Sequence, residues 1–250
     1  MIESEDYKRF KKAIQDLPPK NSYSREDLLI EGLLFDRHGD IEIYYAPHNE
    51  LINPSAGIVI AGITPGWRQM EIAYRTLKQA FGQGLTEEEA FSHAKAAARF
   101  AGSMRMNLLQ MLRDLGLHHY VGLPDVESLF APGCQLLHTT SVLRYPVFVQ
   151  GRNYTGHQPP LMTSAYLRPY ALQFIGEEIM LLNRQRPLFI PLGRTVEELF
   201  RSLVNSGLIE EGQCLWGFPH PSGANGHRHQ QFRQAHDGML GIISRFFAAQ

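Results

Sequence analysis

The sequence predicts an α/β protein whose central sheet is mainly parallel. The run Gly57–Gly62 (GIVIAG) is apolar without alternation, which is typical of a parallel strand covered on both faces. A second run of this kind lies at residues 188–192, and further strands are predicted at 136–143 and 215–218. Segments with apolar residues at helical spacing separate these strands. We therefore expect about four parallel core strands between helical layers.

The composition favours one folded domain. The chain has 250 residues, of which 44% are hydrophobic and 20% charged, so a large core can be buried. We expect a single domain over residues 1–250, with residues 1–40 as an N-terminal helical extension. The net charge of −1 means that any nucleic-acid surface must be a local patch.

Cysteine usage and hydropathy predict a cytoplasmic location. The two cysteines, Cys134 and Cys214, are far apart and form neither a disulfide framework nor a CxxC pair. The N-terminus is charged and lacks the apolar core of a signal peptide. No stretch approaches the roughly 18 apolar residues of a membrane span, so no membrane partner is expected.

The first half of the chain contains several helix boundary signals. Pro18-Pro19 should end the first helix, and Gly116 is placed to end a later one. Thr86 and Glu89 form a capping-box pattern ahead of another helix. In order, the expected elements are a helix over 5–17, a strand over 41–45, the strand 57–62, a helix from about residue 68, a helix after residue 86 and a helix through 104–115.

The second half repeats the alternation of strand and helix. Apolar residues at helical spacing predict three helices here, and the strands lie between them. In order, the expected elements are the strand 136–143, a helix through 172–182, the strand 188–192, a helix through 196–203, the strand 215–218 and a helix through 232–246.

Two loops follow predicted strands and contain the residue types that a site needs. The turn Gly62-Ile63-Thr64-Pro65-Gly66 can turn tightly, and the next helix start could meet an anion. The loop His220–Arg228 (HPSGANGHR) presents an imidazole and a hydroxyl. The alternatives are a plain strand-to-helix turn and a histidine satisfied within its own loop. Ligands of parallel α/β sheets bind at the carboxyl ends of the strands.

Together these segments resemble the uracil-DNA glycosylase superfamily. Its first motif is a G-x-x-P-G/Y turn after the first core strand, and its second is an H-P-S or N-P-S loop after the last. Intermediate segments are also similar, and the resemblance runs from about residue 55 to about 235. These segments are Asn107–Leu117, Thr139–Pro146, which is similar to T-N-V-V-K-C-R-P in the iron–sulfur branch, and Leu188–Arg194, which ends in L-G-R.

The resemblance implies a three-layer α/β/α fold with a central, mainly parallel four-stranded sheet, and excision of a flipped base from DNA. His220 would donate to the departing base, and the Gly62–Gly66 turn would hold the attacking water. The implied roles are as follows: catalytic, Thr64 and His220; base-binding, Gly62, Ile63, Pro65, Gly66, Phe100 and Thr140; DNA-binding, Ser222, Gly223, Asn225, His227 and Arg228. A core role for Phe100 is the alternative to stacking on the base.

The chain departs from the family pattern at several positions. Family members carry Asp, Glu or Asn where this chain has Thr64, and several branches have a base-reading Asn where it has Thr140. Gly66 stands where one branch has a tyrosine that excludes the thymine methyl group. The four cysteines of the iron–sulfur branches are absent, so we expect no cluster and no other cofactor.

Three functional hypotheses follow. The first is a monomeric, metal-free glycosylase acting on a deaminated or damaged base in DNA. The second, which Thr64 and Thr140 favour, is a catalytically weak protein that binds a nucleobase or nucleic acid. The third is a metal-dependent hydrolase that uses His220, His227 and His229, although their spacing matches no standard metal site. Arg144, Arg152, Asn153 and His157 form either a phosphate-facing patch or a solvated loop.

Overall fold

The computed structural model describes residues 4–249, which form two compact units of mixed α/β structure. The first unit contains the chain up to Ile52, Thr64–Ala101 and Leu143–Pro159. The second contains Asn53–Ile63, Gly102–Val142 and the chain from Pro160 onward. The boundary between the units therefore passes through the Gly62–Gly66 turn.

In chain order, the strands are β1 (Leu34–His38), β2 (Ile41–Tyr44), β3 (Ile58–Gly62), β4 (Leu137–Ser141), β5 (Val147–Val149), β6 (Arg152–Asn153) and β7 (Leu188–Pro191). The helices are α1 (Glu5–Asp16), α2 (Arg25–Leu28), α3 (Trp67–Gly82), α4 (Glu87–Ala98), α5 (Ser103–Asp114), α6 (Leu117–Tyr120), α7 (Leu167–Leu182), α8 (Arg194–Asn205) and α9 (Arg228–Ala248). The long helices and β2, β3, β4 and β7 match the sequence predictions to within a few residues.

The first unit contains an antiparallel sheet in the order β1-β2-β5-β6. The sequence analysis predicted β2 but did not predict β1, β5 or β6. The β5–β6 hairpin closes through Gln150 and Gly151, both at positive φ (49° and 71°), as a type I′ turn requires. Glutamine is not a usual residue at this position, which is why the turn signal was weak.

Helices of the first unit bury aromatic side chains against this sheet. Phe10 of α1 stacks on Tyr45, with ring centroids 4.7 Å apart. The capping box ahead of α4 is confirmed, because Thr86 Oγ1 accepts from the Glu89 N–H and the Glu89 carboxylate accepts from the Thr86 N–H. The ring contact packs α1 against the residue that follows β2, and the capping box stabilises the start of α4.

The second unit contains a wholly parallel sheet in the order β4-β3-β7. All five residues of β3 are buried, which confirms that its apolar run is a covered central strand. Gly62 accepts from the Val142 N–H (2.9 Å) and Ala61 from the Leu192 N–H (2.9 Å). The carboxyl ends of the three strands therefore meet at one edge of this sheet.

The prediction of four parallel strands is wrong by one, since this sheet has three strands within residues 4–249. The segment predicted as the last strand, 215–218, forms no strand. The residue just before it, Cys214, makes an isolated parallel bridge with Phe189 of β7, and the Leu215 N–H donates to Phe189 O (2.8 Å). The chain then turns at Trp216 and Gly217, which has a φ of +83°. A turn so soon after the bridge prevents a ladder from extending.

The two cysteines are unpaired. Cys214 is buried, and burial raises the pKa of its thiol to about 12. Cys134 is half-buried. Across residues 4–249, every helix is too short or too polar to cross a lipid bilayer.

Candidate functional site

The carboxyl edge of the parallel sheet is where His220 lies. Gly193 follows β7 at this edge, has a φ of +83° and donates its N–H to Phe218 O (2.9 Å). A Cβ atom built on Gly193 would lie 2.9 Å from His220 Cβ and 3.4 Å from its backbone nitrogen. The two backbones therefore touch, and only glycine permits this approach. The start of the His220 loop therefore lies beside the segment that follows β7, within the second unit.

The hydrogen bonding of His220 indicates its tautomer. Its Nδ1 accepts from the Ser222 N–H at 3.3 Å, and His220 is half-buried. An imidazole that accepts at Nδ1 and is neutral carries its proton on Nε2. In the neutral ring, the proton is therefore on Nε2.

The rest of the loop is held by its own polar groups. The Asn225 amide donates to His220 O (3.1 Å) and to Gln231 Oε1 (2.9 Å). Ser222 Oγ accepts from the Ala224 N–H (3.1 Å), so its hydroxyl proton is available to an external acceptor. Gly223 and His227 are exposed, and Arg228 is half-buried with its guanidinium 3.3 Å from Asn225 O.

Thr64, in the first unit, has a hydroxyl that is already engaged. It donates to Tyr145 O (2.8 Å) and accepts from the Val147 N–H (3.1 Å). The hydroxyl therefore ties the turn to the start of β5, and one acceptor lone pair remains. Pro65 beside it is buried, while Gly62 and Ile63 belong to the second unit, at the end of β3.

At the start of α3, the backbone N–H groups that could meet an anion already donate to side chains of the protein. The Gly66 N–H donates to Gln69 Oε1 (3.0 Å) and the Trp67 N–H to Asn153 Oδ1 (3.0 Å). A Cβ on Gly66 would lie 3.4 Å from Asn153 Nδ2. An anion at this helix start would have to displace these two caps.

Phe100 is buried and has an unusual backbone conformation. Its φ is +50°, in the left-handed region that bulky residues rarely adopt. Such a conformation costs on the order of 1 kcal/mol, and it persists only where the surroundings impose it. Phe100 belongs to the first unit and is 6% exposed.

Thr140 donates its hydroxyl to a buried carboxylate. Its Oγ1 lies 2.8 Å from Glu178 Oε2, and His138 Nε2 hydrogen bonds to Glu178 Oε1. His138 Nδ1 accepts from the Asn53 N–H at 3.3 Å. The Thr140 side chain thus belongs to a polar cluster in the core of the second unit, with Glu178 1% exposed.

Sequence reasoning did not identify three residues of these arrangements. Gly193 lies within the L-G-R segment, so a signal existed, but its contact with His220 is not visible in sequence. Asn107 donates its amide to Pro221 O at 2.7 Å, across 114 residues. Glu178 is a charged residue on a helix, and nothing in sequence separates it from its exposed neighbour Glu177.

A separate cleft in the second unit contains none of the predicted site residues. It has a volume of about 670 Å³ and lies between the end of α9 and residues 210–216. Its walls include Trp216 and the ion pair of Arg186 with Glu210. The His220 edge is the stronger candidate site, because it combines a polar donor with the carboxyl ends of parallel strands.

Among residues 4–249, no three His, Cys, Asp or Glu side chains converge in a way that could hold a metal ion.

The fold and the His220 loop define an α/β protein with a histidine at the carboxyl edge of a parallel sheet. The chain is 41% identical over 241 residues to the uncharacterized protein YoxB of Bacillus subtilis (strain 168), covering 96% of this chain and 93% of that relative. The chain therefore belongs to the same family as YoxB. No protein-family model and no solved structure matches it.

Proposed function

We propose that this protein is a DNA base-excision glycosylase-like enzyme on a uracil-DNA glycosylase-like, three-layer fold. It would hydrolyse the N-glycosidic bond of a flipped deaminated or damaged base. The observation that carries the proposal is the His220 loop, which lies against Gly193 with Nδ1 accepting from its own backbone. Nε2 is then the proton-bearing nitrogen at the edge where ligands of parallel sheets bind.

The chemistry needs a donor at the base and a water at the sugar. As the glycosidic bond breaks, negative charge develops on the base and positive charge on the sugar. A fixed donor such as His220 Nε2 stabilises the first, and one such donor is typically worth roughly 10²–10³ in rate. A water placed by the turn around Thr64 would complete the reaction.

The remaining roles follow the resemblance. Phe100 would stack on the base. Gly62, Ile63, Pro65, Gly66 and Thr140 would line the base pocket. The DNA phosphates would contact the loop residues Ser222, Gly223, Asn225, His227 and Arg228. The partner is DNA or a free nucleobase, and we propose a monomeric, cytoplasmic protein without metal or cofactor.

A second candidate function is binding without cleavage. The two residues that depart from the family pattern favour it. The Thr64 hydroxyl hydrogen bonds to Tyr145 and Val147, and the Thr140 hydroxyl to Glu178. Neither side chain offers the acid or amide that the resemblance implies. A protein with these residues would bind a base and release it intact.

The test is single-turnover release of base from oligonucleotides that each hold one modified base, with uracil included. We expect abasic sites for at least one base, and His220→Ala to slow their formation by roughly 10²-fold or more. His93→Ala, which removes an exposed histidine of α4, is the matched control and should behave as wild type. DNA binding without abasic sites across the whole panel would favour the second function.

A further inference from the structure

Two other segments contact the backbone of His220 and Pro221. Gly193 lies so close that a Cβ there would meet His220 Cβ at 2.9 Å. The Asn107 amide of α5 donates to Pro221 O at 2.7 Å. All of these residues belong to the second unit.

The Asn107 contact is a specific one. Asn107 is half-buried on α5, and its amide reaches the carbonyl of the residue that directly follows His220. Pro221 has no N–H, so this carbonyl is the hydrogen-bonding group that its backbone offers to a neighbour. At 2.7 Å, the bond is short for an amide donor and fixes the carbonyl direction.

That direction determines where the Ser222 N–H points. The Pro221 carbonyl and the Ser222 N–H belong to one planar peptide group, so holding the first orients the second. The Ser222 N–H lies 3.3 Å from His220 Nδ1, near the outer limit for a hydrogen bond. A small rotation of this peptide would therefore break the contact.

We infer that Asn107 is a positioning residue for His220, acting through the Pro221–Ser222 peptide. It holds the N–H that keeps the imidazole proton on Nε2, and Gly193 leaves the space in which the histidine backbone rests. The catalytic use of this imidazole rests on the proposed function. The imidazole geometry itself does not, because it can be measured without any reaction.

The experiment compares Asn107→Asp and Asn107→Ala with wild type, using the full chain with ¹⁵N-labelled histidine. Aspartate has no donor and opposes the Pro221 carbonyl, while alanine removes the donor without adding charge. The control is Asn205→Asp, the same change at the exposed far end of α8. Imidazole nitrogen shifts report the tautomer of His220, assigned through a His220→Gln sample, with exposed His93 as internal reference.

We expect wild type and the control to show His220 with its proton on Nε2. In both Asn107 variants the His220 shifts should move toward those of His93. Where excision is measurable, its single-turnover rate should fall roughly 10- to 100-fold, with Kd for DNA changed less than about twofold. Gly193→Ala should move the same shifts, since its Cβ displaces His220 directly.

The outcomes separate this inference from the proposed function. Unchanged His220 shifts in a folded Asn107 variant would overturn the positioning role, whatever the enzyme does. Shifts that move in a protein without excision activity would support the positioning role and remove the catalytic one. An equal fall in DNA affinity and rate would show a general loss of structure and would also overturn the inference.

Discussion

At the scale of single residues, the Thr64 hydroxyl both donates and accepts a hydrogen bond within the protein. It donates to Tyr145 O and accepts from the Val147 N–H, two backbone groups that flank Pro146. An asparagine amide offers the same pairing, because Nδ2 can donate and Oδ1 can accept. An aspartate carboxylate cannot donate to the carbonyl and would oppose it.

We therefore predict that Thr64→Asn retains the fold and raises base excision, since an amide is what the resemblance implies here. A well-placed group that holds the attacking water contributes about 10²–10⁴-fold in rate, and we expect Thr64→Asn to raise the rate of base release tenfold or more. Thr64→Asp should be destabilised because its carboxylate faces Tyr145 O. The measurements are thermal unfolding and single-turnover base release.

Thr64→Val is the matched control for the structural part. It keeps the shape, leaves the Tyr145 carbonyl and the Val147 N–H unpaired, and should cost about 1–3 kcal/mol of stability. If Thr64→Val cleaves as fast as wild type once folded, the hydroxyl takes no part in the chemistry.

At the scale of elements, the half-buried Glu50 links α1 to the loop after β2. Tyr145 Oη lies 2.6 Å from Glu50 Oε1 and 2.8 Å from Asp6 Oδ2, and Ser4 donates to Glu50 Oε2. One phenol proton can serve only one carboxylate, so the second contact needs a proton on an acid. Burial raises the pKa of Glu50, which favours Glu50 as that acid.

The raised pKa of Glu50 determines how the stability of the protein changes with pH. A carboxyl whose pKa is higher in the folded protein binds more protons folded than unfolded, so stability falls as pH rises above the ordinary value near 4.5. We predict that Glu50→Gln weakens this fall and raises Tm at pH 8, where each kcal/mol is worth roughly 2–4 °C in a chain of this size. Glutamine can donate to Tyr145 and still accept from Ser4.

The measurement is Tm between pH 5 and pH 8. Glu211→Gln, the same change at an exposed glutamate, should leave the pH dependence as in wild type. A Glu50→Gln protein that loses stability at every pH would show that Glu50 is ionised and needed as a charge.

At the scale of the whole molecule, the net charge of −1 means that DNA binding must come from local positive charge. The His220 loop leads into α9, whose first residue is Arg228. If this loop meets phosphates, DNA affinity should fall with salt, by roughly one unit of log–log slope for each phosphate contact.

We predict that Arg228→Gln lowers that slope by about one. Arg245→Gln is the matched control, because Arg245 is exposed on the same helix about 25 Å along its axis. The measurement is Kd for a short DNA duplex across a salt series. An unchanged slope in the Arg228 variant would show that this residue does not contact DNA phosphate. An equal change in both variants would show that the slope depends only on the overall charge of the protein.

The sequence by itself determined the long helices, the covered strands β3, β4 and β7, the capping box and the two loops, because burial and capping leave periodic patterns over neighbouring residues. Tertiary structure decided the rest. The segment 215–218 has the composition of a strand, but the chain turns at Gly217, and only Cys214 before it makes a bridge to β7. The contacts of Asn107 with Pro221, Gly193 with His220 and Thr140 with Glu178 join residues 114, 27 and 38 positions apart. No local pattern records such contacts, because their partners are chosen by how the folded backbone brings distant segments together.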